Sequence, residues 1–148
     1  MTQTLPNPEL VMTVKAVLEP LIDMGRTPEG QRRVVVITGG TFEGPTFKGT
    51  IMPGGEDWQR VRDDGTMELD ARYWLRADDD TIIRVHNSVL VNAAPGAPAS
   101  LSYARSSVKF EAPIGKHDWL NKAIFVGTID PDFKQRPATV TLRFFKVL

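Results

Sequence analysis

The 148-residue sequence carries eighteen basic and eighteen acidic side chains and has no cysteine. This balance of charge disfavours nucleic acid and an anionic membrane surface as partners, and the missing cysteines exclude disulfides and thiolate chemistry. We expect one domain over residues 1–148, with a flexible start at residues 1–8, because a chain of this length can bury one core. The lack of a secretion signal or a long apolar segment predicts a cytoplasmic protein.

Apolar residues recur at every second position, in short runs that end at Gly, Pro, Asp or Asn, as is typical of β-strands. No stretch has a helical period, so we predict an all-β fold, a single antiparallel β-barrel of about eight to ten strands, with a sandwich as the alternative. The predicted strands span residues 10–19, 32–38, 46–52, 57–62, 66–77, 81–91, 99–111, 122–130 and 138–148. A single helical turn is predicted at residues 116–121 and a flexible loop at residues 92–100.

The glycine-rich stretch GGTFEG at residues 39–44 lacks the GxGxxG spacing of a dinucleotide-binding loop, and a strand rather than a helix follows it. We therefore predict that its glycines form bulges and corners of the barrel, not a phosphate site. The two histidines, His86 and His117, have no paired ligand spacing, so neither a metal nor another cofactor is predicted. The triplet DDD at residues 78–80 lacks the ligand pattern of a calcium loop and is predicted to be a turn.

Two short turns set the register of the predicted hairpins, and register decides which side chains share a face. A three-residue loop at 78–80 pairs Ala77 with Thr81 and requires a left-handed conformation at Asp80. A second loop at 63–65 places its glycine at the corresponding left-handed position. The polar side chains that these registers turn inward are Asp57, Gln59, Tyr73 and Asn87.

Four ordered segments of the chain are distinctive: GGTFEGPTFKGTIMPGGEDWQ, ELDARYWLRADDDTIIRVHN, FEAP and WLNKAIFVG. Over about residues 9–148, they resemble a family of bacterial and fungal proteins known as domain of unknown function 3237. The resemblance implies a single-domain antiparallel β-barrel and brings no established reaction. The family's recurring positions fall here on Gly39, Gly40, Phe42, Gly44, Pro53, Gly54, Gly55, Asp57, Trp58, Asp70, Arg72, Tyr73, Phe110, Glu111, Trp119, Leu120 and Asn121. The family usually has Gly where this chain has Asp80, which implies a more strained turn.

A carboxylate in apolar surroundings can act as a general acid or base, so Asp57 and Glu111 are the candidate catalytic residues. The candidate ligand-binding residues are Trp58, Tyr73, Asn87, Trp119 and, through the resemblance, Asn121. The first hypothesis is a small-molecule-binding barrel that isomerises, cyclises or hydrates an apolar or aromatic metabolite without a cofactor. In this hypothesis hydrogen bonds orient the ligand and the two tryptophans close over it.

The second hypothesis is a non-catalytic interaction module or a homo-oligomeric structural protein. Its interface is the outer face that carries Arg72, Trp74, Arg84 and His86, because arginine and tryptophan are frequent anchors of protein–protein interfaces. An open cavity that reaches Asp57, Tyr73 and Glu111 favours the first hypothesis, and a filled core with Trp74 buried between subunits favours the second.

Overall fold

The computed structural model describes residues 4–92 and 102–148, and antiparallel strands make up most of these ranges. The strands are β1 (Pro8–Leu18), β2 (Ile22–Thr27), β3 (Gly30–Glu43), β4 (Lys48–Ile51), β5 (Gly55–Val61), β6 (Met67–Ala77), β7 (Ile82–Asn92), β8 (Tyr103–Glu111), β9 (Phe125–Asp132) and β10 (Ala138–Val147). A 3-10 turn, Asp118–Asn121, lies within the predicted helical turn. The described ranges contain no helix long and apolar enough to cross a membrane. Asn92 ends β7, and the rest of the loop predicted at 92–100 lies outside the described residues, as does the start of the strand predicted at 99–111.

The sheet closes on itself because β1 pairs with both β10 and β3. From β1, the order around the barrel is β10, β9, β8, β7 and β6, and then β3. Between β6 and β3 lie β4 and β5, each of which pairs with both neighbours, so the two short strands share one position. An eight-position closed barrel results, with β2 as an extra strand on β3. The predicted all-β antiparallel barrel is confirmed.

Most strand bounds differ from the prediction by one to three residues, and two differences are larger. The sequence did not predict β2, whose residues are mostly exposed and show no alternation of burial. Alternation arises only where one face of a strand is buried, so such a strand carries no periodic signal. The second difference is that β3 continues to Glu43, five residues beyond its predicted end at residue 38. A flexible start at residues 1–8 was also expected, but β1 begins at Pro8 and Asn7 exchanges backbone hydrogen bonds with Leu148.

Two glycines explain how β3 continues through a stretch predicted to be a corner. Gly39 and Gly40 lie where β3 leaves β5 and begins to pair with β4 and β1. Gly40 has a φ of +134°, and a Cβ placed there would lie 2.1 Å from the carbonyl oxygen of Lys15. The register of β1 against β3 shifts at Leu18, next to this crossing. The glycines therefore allow a bulge inside a strand, which is one of the two roles predicted for them.

Both predicted hairpin registers are confirmed. The backbone N–H of Ala77 donates to the carbonyl oxygen of Thr81 at 2.9 Å, as a three-residue loop requires. Asp80 has a φ of 68° and is left-handed, and Gly65 occupies the corresponding position of the other loop with a φ of 85°. These registers fix which side chains of β5, β6 and β7 face the barrel interior.

Apolar side chains fill one half of the barrel interior, which we call the closed half. Its largest members are Phe42, Phe47, Phe110, Phe125, Phe144, Met12, Leu75 and Ile83. The ring of Phe110 lies edge-on to Phe125 and Phe144, with centroids 5.0 and 5.7 Å apart. The 3-10 turn closes this end by inserting Leu120, which is 1% exposed. Since burial of one such side chain contributes about 1.5–3 kcal/mol, this half supplies much of the stability of the barrel.

Asp80→Gly should raise the free energy of unfolding by about 0.5 kcal/mol. Glycine removes the left-handed strain of an L residue, and this gain exceeds the chain entropy that glycine adds to the unfolded state. Asp78→Gly in the same loop is the matched control, because Asp78 does not have a positive φ and glycine there brings only the entropic cost. Urea unfolding measures both variants. Changes of the same sign in both would contradict this explanation.

Candidate functional site

Polar side chains face the interior in the other half of the barrel, which we call the polar half. Six residues form this interior polar cluster: Arg33 on β3, Asp57 and Gln59 on β5, Tyr73 on β6, Asn87 on β7 and Ser106 on β8. They point inward for the same reason as their apolar neighbours, because they occupy alternate positions of strands whose other positions face solvent. Six polar groups inside a small barrel are unusual, since such interiors are commonly filled by apolar side chains.

Strand pairing arranges the cluster in rows across the sheet. Asp57 pairs with Ala71, which pairs in turn with Asn87 on the next strand. Two residues further along β5, Gln59 pairs with Arg33. Adjacent rows on one face are about 7 Å apart, so the cluster covers a patch of small-molecule size.

Apolar packing is only partial in the polar half. The continuous apolar cluster reaches Ala71 at this level but leaves out Val35, Leu69 and Val89, which are also buried. At the end of the barrel the inward positions Val61 and Met67 are only half-buried. Apolar walls with convergent polar groups are the usual composition of a ligand pocket.

A chain of hydrogen bonds connects three members of the cluster. Nη2 of Arg33 donates to Oε1 of Gln59 at 2.7 Å, and Nε2 of Gln59 donates to Oδ2 of Asp57 at 2.9 Å. The amide of Gln59 therefore lies between the guanidinium and the carboxyl group. Its orientation is fixed from both sides, because its oxygen must face the cation and its nitrogen the carboxylate.

Five buried polar atoms of the cluster have no hydrogen-bond partner among the described residues. They are Nε of Arg33, Oδ1 of Asp57, the hydroxyl of Tyr73, Oδ1 of Asn87 and Oγ of Ser106. Each unpaired buried group costs about 1–3 kcal/mol, so folded proteins contain few of them. Five in one region indicate a place where water or a ligand completes the hydrogen bonds.

Burial sets the protonation of two members of the cluster. Removal from water raises the pKa of Asp57, and this effect outweighs the hydrogen bond from Gln59 and the charge of Arg33, which act in the opposite direction. Burial also raises the pKa of Tyr73, and the nearby charge of Asp57 raises it further. Tyr73 therefore stays a neutral hydroxyl, and Asp57 keeps its proton to a higher pH than an exposed aspartate.

The candidates Glu111 and Trp58 lie on the outer face. Glu111 is exposed at the end of β8, and its Oε1 pairs with Nη1 of Arg84 at 3.0 Å. Trp58 is 40% exposed and donates its indole N–H to Oε2 of Glu56 at 2.7 Å. The structure thus brings Asp57 together with Tyr73 and Asn87 but places Glu111 and Trp58 on the opposite side of the sheet.

The candidates Trp119 and Asn121 lie in the 3-10 turn at the closed half. The ring of Trp119 packs against Phe47 and Phe125, with centroids 6.0 and 6.2 Å away. Oδ1 of Asn121 accepts a hydrogen bond from the backbone N–H of Ala112, and Nδ2 of Asn121 donates to the carbonyl oxygen of Ala112, each at 2.8 Å. These contacts attach the turn to β8, at the end of the barrel away from the polar cluster.

The residues of the second hypothesis lie on the outer face as predicted and are paired within the chain. They are Arg72, Trp74, Arg84 and His86, and they line a groove together with Glu111. Asp70 accepts from both Arg72 and His86, at 3.3 and 2.8 Å. Trp74 is half-buried. The charges of this face are thus largely balanced by neighbours.

Sequence reasoning did not propose Arg33 or Ser106 as site residues, although the signal was present. Arg33 alternates with Val35 and Ile37, and Ser106 alternates with Val108, so each lies on the buried face of its strand. The pairings that place them in the cluster, β3 with β5 and β8 with β7, do not run through a short turn whose length would have given the register. Among the described residues, no group of three or more histidine or carboxylate side chains is arranged to hold a metal ion.

A family model described as "Protein of unknown function (DUF3237)" matches residues 6–147. The chain belongs to this family. The resemblance inferred from the four sequence segments is confirmed, and so is the barrel expected from it. A UPF0311 protein of Clostridium acetobutylicum is 30% identical over 152 residues, which cover 95% of this chain and 94% of that protein. The hydroalkoxylation enzyme phnH of Penicillium herquei is 28% identical over 125 residues, which cover 84% of this chain and 75% of that enzyme.

Two solved structures of the same fold come from the same two organisms. The crystal structure of a protein of unknown function from Clostridium acetobutylicum superposes with a TM-score of 0.87 at 29% identity, over 99% of this chain and 100% of that one. The crystal structure of an enzyme from Penicillium herquei superposes with a TM-score of 0.76 at 25% identity, over 100% and 98%. Proteins that share this β-barrel therefore include one from a bacterium and one from a fungus.

Asp57→Asn should raise the free energy of unfolding at neutral pH. Burial raises the folded-state pKa of Asp57 above its ordinary value of 3.8, so the folded protein holds a proton that the unfolded chain releases. The free energy of unfolding of the wild type then falls as the pH rises through the interval between these two pKa values. The amide of Asp57→Asn does not titrate, so the variant does not lose this stability. Urea unfolding at several pH values measures the difference.

The matched control for this measurement is Glu111→Gln, because Glu111 is exposed on the outer face. It should change the free energy of unfolding by less than about 1 kcal/mol, because exposed ion pairs contribute little. An Asp57→Asn gain that is equally large below the unfolded-state pKa would contradict the role of burial.

Asn121→Ala should lower the free energy of unfolding by about 1–3 kcal/mol, because it leaves the N–H and C=O of buried Ala112 without partners. Lys122→Ala is the control, since Lys122 is exposed and its pair with Asp118 at 3.9 Å contributes little. Thermal unfolding measures both variants. Equal stability of Asn121→Ala and wild type would show that Asn121 does not hold the turn in place.

Proposed function

We propose that this DUF3237 protein binds a small apolar or aromatic molecule in the polar half and closes a ring in it. In this reaction a hydroxyl group of the ligand adds across one of the ligand's own C=C bonds, with Asp57 as the proton-transfer group. The observation that carries the proposal is the set of five unpartnered buried polar atoms around Asp57. The name of the Penicillium herquei relative, a hydroalkoxylation enzyme, supports this reaction class among the isomerase, cyclase and hydratase alternatives.

The lining of the polar half suits such a ligand. An eight-stranded barrel has room for one small ligand when its interior is not filled by side chains. Val35, Leu69 and Val89 supply apolar walls, and Tyr73 and Asn87 supply groups that can bond a hydroxyl or carbonyl oxygen. Tyr73 is a donor over the whole physiological range because burial raises its pKa.

Asp57 is better suited to proton transfer than Glu111. Its raised pKa means that Asp57 holds its proton to a higher pH than an exposed aspartate does, which favours a role as a general acid. Glu111 is exposed on the outer face and paired with Arg84, so its carboxylate does not face the polar half. Oδ1 of Asp57 is the oxygen that faces no protein partner, and we assign it to the ligand.

The proposed reaction needs no cofactor, because the proton that Asp57 gives to the ligand returns to Asp57. Protonated Asp57 gives its proton to one carbon of the C=C bond, which leaves a carbocation at the other carbon. The ligand hydroxyl oxygen bonds to that carbon, and the proton of the hydroxyl returns to the carboxylate of Asp57. One C–H and one C–O bond form, the C=C π bond and the O–H bond are consumed, and no electron is gained or lost.

The test uses aromatic alcohols that carry an alkenyl chain beside the hydroxyl, incubated with the protein in deuterated water. A cyclic ether with one new C–D bond is the expected product, because the carboxyl proton exchanges with solvent. Asp57→Asn should lower the rate by about a hundredfold or more, the usual share of a general acid–base group. Nuclear magnetic resonance of the product measures both the ring and the label.

Glu111→Gln is the matched control and should retain the wild-type rate, because Glu111 lies on the outer face. Two other products would contradict ring closure, and each would indicate a different reaction. A shifted C=C bond with the hydroxyl intact would indicate an isomerase, and addition of water would indicate a hydratase. Full activity of a correctly folded Asp57→Asn protein would remove Asp57 from the reaction.

A further inference from the structure

Arg33 differs from the paired arginines of the outer face. Arg60 pairs with Glu68, and Arg84 pairs with Glu111, so their charges are balanced locally. Arg33 instead faces the barrel interior and donates to a neutral amide oxygen, that of Gln59. Its other side-chain contact is weak, with Nη2 3.8 Å from the sulfur of Met67.

Arg33 has no carboxylate partner among the described residues. Within residues 4–92 and 102–148 it forms no ion pair, and the residues outside these ranges include no Asp or Glu. Its Nε is buried without a hydrogen-bond partner. Arginine remains protonated in proteins, so this half of the barrel contains a fixed positive charge whose donors are not all used.

Gln59 prevents Arg33 from pairing directly with Asp57. It accepts from Arg33 with its oxygen and donates to Asp57 with its nitrogen. Direct contact would bring the two charges together, neutralise the cation and hold the carboxyl ionised. With the amide in between, the guanidinium stays available to a third group.

We propose that Arg33 binds an acidic oxygen group of the ligand, a carboxylate or an ionised phenol, through its unpartnered Nε. A guanidinium favours such oxygens because it presents several N–H donors in one plane and carries a full charge. This inference rests on the polar half being the ligand site, as in the proposed function, and adds the chemical class of the ligand. The ligand is an organic anion with an apolar or aromatic body.

The register also sets where the anionic group lies relative to the reacting atoms. Arg33 pairs with Gln59, which is two residues from Asp57 on the same face of β5. Two residues of a strand span about 7 Å. The backbone positions of Gln59 and Asp57 are therefore about 7 Å apart, roughly the length of one aromatic ring with its substituents.

The experiment compares charged and neutral probes of the same shape. Benzoate is matched with benzamide, and 4-nitrophenol, at mildly alkaline pH where it is ionised, with 4-nitroanisole. Dissociation constants are measured by titration calorimetry with the wild-type protein and with Arg33→Gln. The anionic member of a pair should bind wild type about ten- to a hundredfold more tightly, as expected for charge-assisted hydrogen bonds, and Arg33→Gln should remove this preference.

The matched control is Arg32→Gln, the same substitution one residue away on the outer face. It should leave the preference for the anion intact. Thermal unfolding without ligand checks the fold of both variants, and the comparison of probes in wild type does not depend on either. Arg33→Lys, which keeps the charge but loses the planar fork, should retain part of the preference. A preference for benzoate alone or for the phenol alone identifies which acidic oxygen the site accepts.

Equal binding of the charged and neutral probes by wild type would overturn the inference, as would an anion preference that survives in folded Arg33→Gln. These outcomes are separate from the failure of the proposed function. Anion binding that needs Arg33, without ring closure of any alkenyl alcohol, would sustain the inference and contradict the reaction. Ring closure that is unaffected by Arg33→Gln would sustain the proposed reaction and contradict the inference about Arg33.

Discussion

The pairing of β1 with both β10 and β3 is the interaction on which the rest of the structure depends. An open sheet of this length would have two unpaired edges and two accessible faces. Closure removes the main edges and gives each strand one inward and one outward face. Every inward polar side chain is then enclosed by the barrel. Such a side chain either bonds another group of the protein or binds a molecule that enters the barrel.

The two halves of the barrel interior have different roles: the closed half stabilises the fold, and the polar half contains the candidate site. Phenylalanine rings and Leu120 fill the closed half and contribute the favourable burial energy. The polar half contains five buried polar atoms without partners, each of which costs about 1–3 kcal/mol when left unpaired. A cost of that size persists only because the apolar packing elsewhere offsets it. This is the usual relation between a binding site and the scaffold that carries it.

Local sequence patterns predicted the parts of the fold that depend on local geometry. The three-residue loops fixed the pairing of β5, β6 and β7, and so predicted that Asp57, Tyr73 and Asn87 face inward. The contacts of Arg33 could not be obtained in this way, because β3 meets β5 only after the intervening β4 has been placed. The outer position of Glu111 follows from its register with Arg84 across β7 and β8, whose connection is too long to define a turn.

The position of Gln59 shows why the identity of one neutral residue matters to a charged site. A carboxylate at this position would pair with Arg33 and repel Asp57, and an apolar residue would let the guanidinium and the carboxyl group approach each other. Either change would leave the cluster with matched charges and less capacity to bind a ligand. An amide satisfies one donor of Arg33 and one oxygen of Asp57 and leaves Nε of the first and Oδ1 of the second unpartnered. The same two atoms are the ones that the proposed ligand anion and the proposed proton transfer require.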